Sequence, residues 1–196
     1  PPRPFFTLQA LETAAGELHG ARLVARAWVD EGFAARLISG VFHPFFPYFT
    51  PHSSYMSPTF VFGLLVDGNP AAAELGIEAS NANAPTKLAV IANDERVHHL
   101  VVCTLCSCYP AALLGPSPTW YKSREYRARA VRAPRALLEQ EFGMEIPSEV
   151  EVRVHDSTAD LRWLVIPARP AGTDGWDEER LRELVTRDGM VGTAPV

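Results

Sequence analysis

All three cysteines of this 196-residue chain fall in one run, Val102-Cys103-Thr104-Leu105-Cys106-Ser107-Cys108-Tyr109-Pro110. The spacing C-x-x-C-x-C lets a curled loop turn three sulfurs toward one metal ion. Cys106 and Cys108 flank a single residue, so the peptide nitrogens of Ser107 and Cys108 lie between their sulfurs. The Cys108 nitrogen and sulfur close a five-membered chelate ring. The Ser107 nitrogen and the Cys106 sulfur close a six-membered one. The product is a planar set of two nitrogens and two sulfurs, with the Cys103 sulfur on the axis and a sixth position open. The metal ligands expected from spacing are therefore Cys103, Cys106, Ser107 and Cys108.

Ligand type then selects the metal. A backbone amide binds through nitrogen only after losing its proton, which takes a strong Lewis acid. Zinc in thiolate sites prefers a closed tetrahedron and would need a fourth ligand, from His98 or His99. A planar or octahedral thiolate-amide claw suits trivalent iron or cobalt instead. With five donors already in the claw, His98 and His99 are expected to be strand side chains.

The elements that must hold this loop are legible in outline. Val97 to Val102 is an apolar run of strand length leading into the claw, and Leu88 to Ile91 is another. Helical spacing covers Thr7 to Leu18, ending at Gly20, then Ala21 to Trp28, and Asp30 to Leu37 with Asp30 as N-cap. Pro70 to Gly76 resumes a helix, and Ala79 to Thr86 reads as a loop. Trp120 and Tyr121 are expected to pack the claw against the core. Pro134 to Phe142 is bracketed as a helix by its own proline and Gly143. Val150, Val152 and Val154 alternate with polar residues as a strand. Leu161 to Ile166 forms a more buried one. His155 and Asp156 lead into an expected turn at Asp156-Ser157. Thr173-Asp174 opens a last helical segment, with Gly189 and Gly192 closing it. The fold class is α+β: an N-terminal helical arm, then a layered α-β-β-α globular domain carrying the cysteine-claw loop.

Composition narrows the function classes. A net charge of −5 speaks against nucleic acid. Three clustered cysteines are not a disulfide framework. No n-region and h-region precede the first helix, so a cytoplasmic location without secretion or membrane insertion is expected.

The run C-T-L-C-S-C-Y-P, with Trp120-Tyr121-Lys122 and Tyr126-Arg127-Ala128-Arg129, resembles the α subunit of nitrile hydratases. It also resembles the metal-bearing subunit of thiocyanate hydrolase in the same family. The resemblance runs from about Val97 to Gly192 and returns at Gly20 to Leu37. It implies a lyase hydrating a nitrile to an amide. Threonine after the first cysteine accompanies cobalt in that family and serine accompanies iron. Thr104 thus points to non-corrin Co3+, with iron second. The resemblance further implies Cys106 as sulfinic acid and Cys108 as sulfenic acid, with Cys103 unmodified. Cys108, Cys106 and Ser107 become the catalytic set: the Cys108 oxygen acts as nucleophile or base, and the Ser107 hydroxyl bonds the oxidised sulfurs. Ala111 and Ala112 stand where relatives carry a large residue and proline, so Ala111, Ala112 and Leu114 are expected to line a widened substrate pocket.

Implied partners are a small nitrile, a cobalt-delivery activator protein, and a β subunit. That subunit would supply arginines to the anionic claw, giving a heterodimer active only when assembled. Arg124, Arg127, Arg129, Arg132 and Arg135 read as a solvated face, with Arg127 and Arg129 at family positions near the subunit interface.

Against the family's usual short connection, Ile38 to Leu64 stands out. It has no Asp, Glu, Lys or Arg, and carries Pro44, Pro47, Pro51 and Pro58 with six of the ten phenylalanines. The expected organisation is a helical arm over 1–37, an atypical apolar Pro/Phe-rich insertion over 38–64, and a metal-binding catalytic domain over 65–196. The insertion reads as a loop covering a partner or pocket, or as sequence foreign to the fold. Rival functions are thiocyanate hydrolysis, a non-catalytic zinc module, and a family member disabled by the insertion.

Overall fold

The computed structural model describes residues 18–38, 67–80 and 85–196. The expected helix from Thr7 to Leu18, and all of the uncharged stretch but Ile38, lie outside the described residues, save Leu18 itself. The first helices among the described residues are α1 (His19–Val29) and α2 (Glu31–Leu37). The Asp30 carboxylate accepts the Phe33 N–H at 2.8 Å and so starts α2 as the sequence predicts. Both helices lie in the core: Leu23, Val24 and Leu37 are wholly buried and Phe33 nearly so.

Gly20 does not end a helix; it is the second residue of α1. A Cβ there would sit 2.7 Å from the Met190 sulfur and 2.9 Å from Leu114 Cδ2. Close approach of α1 to the segment behind the claw, rather than helix termination, requires the glycine.

Next come α3 (Asn69–Glu74), β1 (Lys87–Ala92) and β2 (Val97–Val102). After the claw follow the short α4 (Ala111–Leu114), a single 3-10 turn at Trp120–Lys122, α5 (Arg124–Arg132) and α6 (Pro134–Phe142). The Ser123 hydroxyl caps α5, and Gly143 at φ 66° closes α6 in the left-handed region. Strands β3 (Glu151–Asp156) and β4 (Leu161–Ile166) precede α7 (Glu178–Arg182) and α8 (Arg187–Val191). The last segment is thus two short helices rather than one begun at Thr173. The Asp177 and Thr186 side chains cap them. Thr173 is instead buried in a turn, where its hydroxyl donates to Pro170 O at 2.7 Å and accepts from Arg169 Nε.

The strands form two parallel pairs, β1 with β4 and β2 with β3. Parallel neighbours need long crossovers, and the β2–β3 crossover carries the claw, α4, α5 and α6. Helix α8 packs on β4 and β2 with α1 against it, while α5 packs on β2 and α6 on β3. The result is the α-β-β-α layering expected. Strand β2 is buried at every residue but its first, as a parallel strand covered on both faces should be. The β2–β3 register places Val102 opposite Asp156. That one pairing fixes what stands beside the claw, because the claw begins at the next residue. No helix among the described residues is long and apolar enough to cross a membrane.

Candidate metal centre

Cys103 continues directly from β2 and is completely buried, whereas Cys106 is exposed and Cys108 lies between. The loop returns so tightly that the three sulfurs lie within 4.8 Å of one another. Cys103 Sγ is 3.5 Å from Cys106 Sγ, which is 3.2 Å from Cys108 Sγ. The Cys106 N–H points at the Cys103 sulfur, 3.3 Å away. Among the described residues this is the one group of three or more His, Cys, Asp or Glu side chains close enough to hold a metal ion.

The Cys106 and Cys108 thiols affect each other's titration. Hydrogen bonds from the Cys108 and Cys103 sulfurs, then from the Ser107 and Cys108 amides, lower Cys106 to about 7. Burial, then the neighbouring Cys106 sulfur, pushes Cys108 up to about 12, opposed by the Arg162 charge. Cys106 therefore gives up its proton before Cys108 does and presents a thiolate near neutral pH.

Three side chains from different elements hold the loop's backbone. At its root the Asp156 carboxylate accepts the Thr104 N–H at 2.9 Å and the Thr104 hydroxyl. At its exit the Tyr121 hydroxyl donates to Cys108 O at 2.9 Å. Between them Arg127 Nη1 donates to Cys106 O at 3.3 Å. Behind the exit, Tyr109 meets Tyr121 edge-on at 5.0 Å and Trp120 packs on Tyr126 and Phe142. Tyr126 fastens the group to β2 through Val101 O at 2.6 Å. Trp120 and Tyr121 thus pack the claw against the core as expected.

Asp156 does not form the expected turn. It ends β3, because Ser157 N still donates to Val102 O at 2.7 Å and carries the strand to the claw's root. The sequence separation of 52 residues left no local sign of this role. Arg127, read as part of a solvated face, instead reaches the backbone of the claw. Helix α5 packs on β2, which brings Arg127 over the loop despite the 21 residues between it and Cys106.

Ala111 and Ala112 are exposed just past the claw, while Leu114 is 1% exposed and packed against Gly20. Leu105 at the claw's tip is 88% exposed.

The histidines before the claw are buried strand side chains with fixed partners. His98 Nε2 donates to Gly192 O at 2.8 Å, so its Nδ1 accepts from Asn93 Nδ2 at 3.2 Å. His99 Nδ1 and His155 Nε2 share one hydrogen bond of 2.8 Å, and His155 lies on Trp163 with ring centroids 4.5 Å apart. Burial first, then Arg153 and His98, lowers His99 to about 4. Burial first, then His99 and Arg153, lowers His155 to about 3.

Both values lie below the unfolded histidine value, so protons favour the unfolded chain. The stability these two groups permit is complete above pH 6.5 and is lost as pH falls toward 4. Each group can remove up to ~1.4 kcal/mol per pH unit. The melting temperature should therefore fall between about pH 7 and about pH 5. A His99→Asn/His155→Phe double variant should show a shallower fall. An equally steep profile in that variant would assign the acid sensitivity elsewhere.

Comparison with known proteins agrees with this geometry. The family described as "Nitrile hydratase, alpha chain" matches residues 52–194, beginning inside the uncharged stretch. The high-molecular weight cobalt-containing nitrile hydratase subunit alpha of Rhodococcus rhodochrous is 43% identical over 183 residues. That alignment covers 93% of this chain and 75% of the relative. Thiocyanate hydrolase subunit gamma of Thiobacillus thioparus is 40% identical over 188 residues, covering 91% and 65%. A histidine double mutant of the Fe-type nitrile hydratase from Comamonas testosteroni Ni1 superposes with a TM-score of 0.73 at 34% identity. It covers 98% of this chain and 81% of that one.

Proposed function

The chain belongs to the nitrile hydratase α-chain family, and from that membership we propose that it is the cobalt-bearing subunit of a nitrile hydratase. The observation that carries this reading is the claw: three sulfurs within 4.8 Å at the end of a buried strand, with the Ser107 and Cys108 peptide nitrogens between the last two along the chain. This donor set fits a trivalent metal held by the Cys103, Cys106 and Cys108 sulfurs and the Ser107 and Cys108 nitrogens. Thr104 and the cobalt-containing relatives favour Co3+ over iron. When bound, the metal supplies Lewis acidity that polarises a nitrile or activates water.

The chain's own residues do the rest. Cys106 and Cys108 carry two and one oxygen atoms. Each addition takes a two-electron oxidant of the peroxide class, whose other oxygen leaves as water. The low-pKa, exposed Cys106 is the sulfur most open to that oxidation. The Cys108 oxygen acts as nucleophile or base toward the nitrile carbon. In the net reaction water adds across the C≡N bond: oxygen ends on carbon and both protons on nitrogen, giving the amide. Ser107 steadies the oxidised sulfurs. The anionic claw and the exposed Leu105 call for a second subunit that brings cations and covers the tip. Residues 65–196 carry the catalytic groups, with α1 and α2 packed into the same core.

Ala111 and Ala112 form the mouth of the substrate pocket, and Leu114 backs it from the core. The Ala111→Trp variant should shift preference from aromatic toward acetonitrile-sized substrates by roughly ten- to a hundredfold. An unchanged ratio would remove Ala111 from the pocket wall.

The similarity to thiocyanate hydrolase subunit gamma keeps one second reading, hydrolysis of thiocyanate. Parallel assays of the assembled enzyme decide: amide formed from nitriles supports the first reading, and consumption of thiocyanate alone supports the second.

A further inference from the structure

The three side chains that hold the claw do different things. Asp156 and Tyr121 hold the two ends of the loop, whereas Arg127 reaches the middle. Its Nη1 donates to Cys106 O at 3.3 Å and its Nε to Ser123 O at 3.3 Å. The guanidinium is thus held by the first turn of its own helix while it spans to the loop.

The Cys106 carbonyl and the Ser107 N–H belong to one peptide group. That group is planar and trans, so its oxygen and its N–H point in opposite directions. With the oxygen held by Arg127, the Ser107 N–H faces the opposite way, on the side where it helps to lower Cys106. We propose that Arg127 is a positioning residue: it sets the plane of the Cys106–Ser107 peptide and so presents the Ser107 nitrogen to the metal. This inference rests on the claw reading above, in which that nitrogen is a ligand.

Two features make an arginine necessary here. The claw's apex gets no apolar packing, since Leu105 is 88% exposed, so a directional contact must fix it. The planar fork of arginine divides two donors between Ser123 and Cys106, where a lysine would offer one compact ammonium.

The test compares the full-length chain with Arg127→Ala and Arg127→Lys, first without metal. Amide hydrogen exchange is followed in the peptide spanning the claw, with the peptide covering β2 as internal control. Loss of the contact should speed exchange across the claw about tenfold in Arg127→Ala. The β2 peptide and melting temperature should stay unchanged, and Arg127→Lys should fall between. After cobalt loading, Arg127→Ala should show a shifted sulfur-to-metal charge-transfer spectrum and faster loss of cobalt to a chelator. Wild-type exchange and an unaltered spectrum in Arg127→Ala would overturn the proposal. Should that variant unfold, Arg127→Met keeps the aliphatic stem and is judged by the same two readouts. If the wild-type chain takes up no cobalt, the functional reading fails, while the metal-free exchange data still decide the role of Arg127.

Discussion

Cys106→Ala is expected to leave the fold intact and abolish both metal binding and activity. Cys106 is exposed, so removing its thiol opens no cavity and disturbs no packing. Yet its sulfur is the centre of the cluster, 3.5 Å from Cys103 Sγ and 3.2 Å from Cys108 Sγ. The loss should exceed the roughly 10–100-fold that removal of a supporting group costs a metal site. The checks are metal content, turnover and melting temperature on one preparation. A variant that retains stoichiometric metal would place the ligand set elsewhere.

Asp156→Ala is expected to weaken metal binding by roughly 10–100-fold, the range for groups that orient ligands without touching the metal. Asp156 holds both the amide and the hydroxyl of Thr104, the residue that follows the buried Cys103. Its removal frees the loop's root and leaves the Thr104 donors to solvent. Thr104→Val removes the hydroxyl contact alone and should cost less. In a double-mutant cycle the two changes should be non-additive, because they act on one contact. Additive losses would mean that Asp156 acts through β3 rather than through Thr104. Chelator competition on metal-loaded protein measures each affinity.

The cysteine cluster was legible because it is local. C-x-x-C-x-C places its sulfurs and intervening amides by covalent geometry, and the loop closes as that spacing implies. Most elements were legible for a related reason: apolar periodicity and caps such as Asp30 and Gly143 act within a few residues. Long-range features left weaker marks. The apolar run from Val97 to Val102 announces a buried strand without naming its partner. The parallel register with β3, which sets Asp156 beside the claw, is decided by packing across 52 residues. Asp156-Ser157 has the composition of a turn, yet the strand continues because Val102 offers one more acceptor. Gly20 misled in the same way. Glycine after a helical pattern usually marks an end, but here it marks the place where α1 meets Met190 and Leu114. Arg127 looked like part of a solvated face because nothing in its neighbourhood records that α5 packs over the claw.

Metal analysis of the purified chain, expressed with cobalt, iron and zinc all available, tests the central claim most directly. The expected result is one cobalt per chain, held by Cys103, Cys106 and Cys108 with the amides between them. Stoichiometric zinc with no cobalt would contradict it.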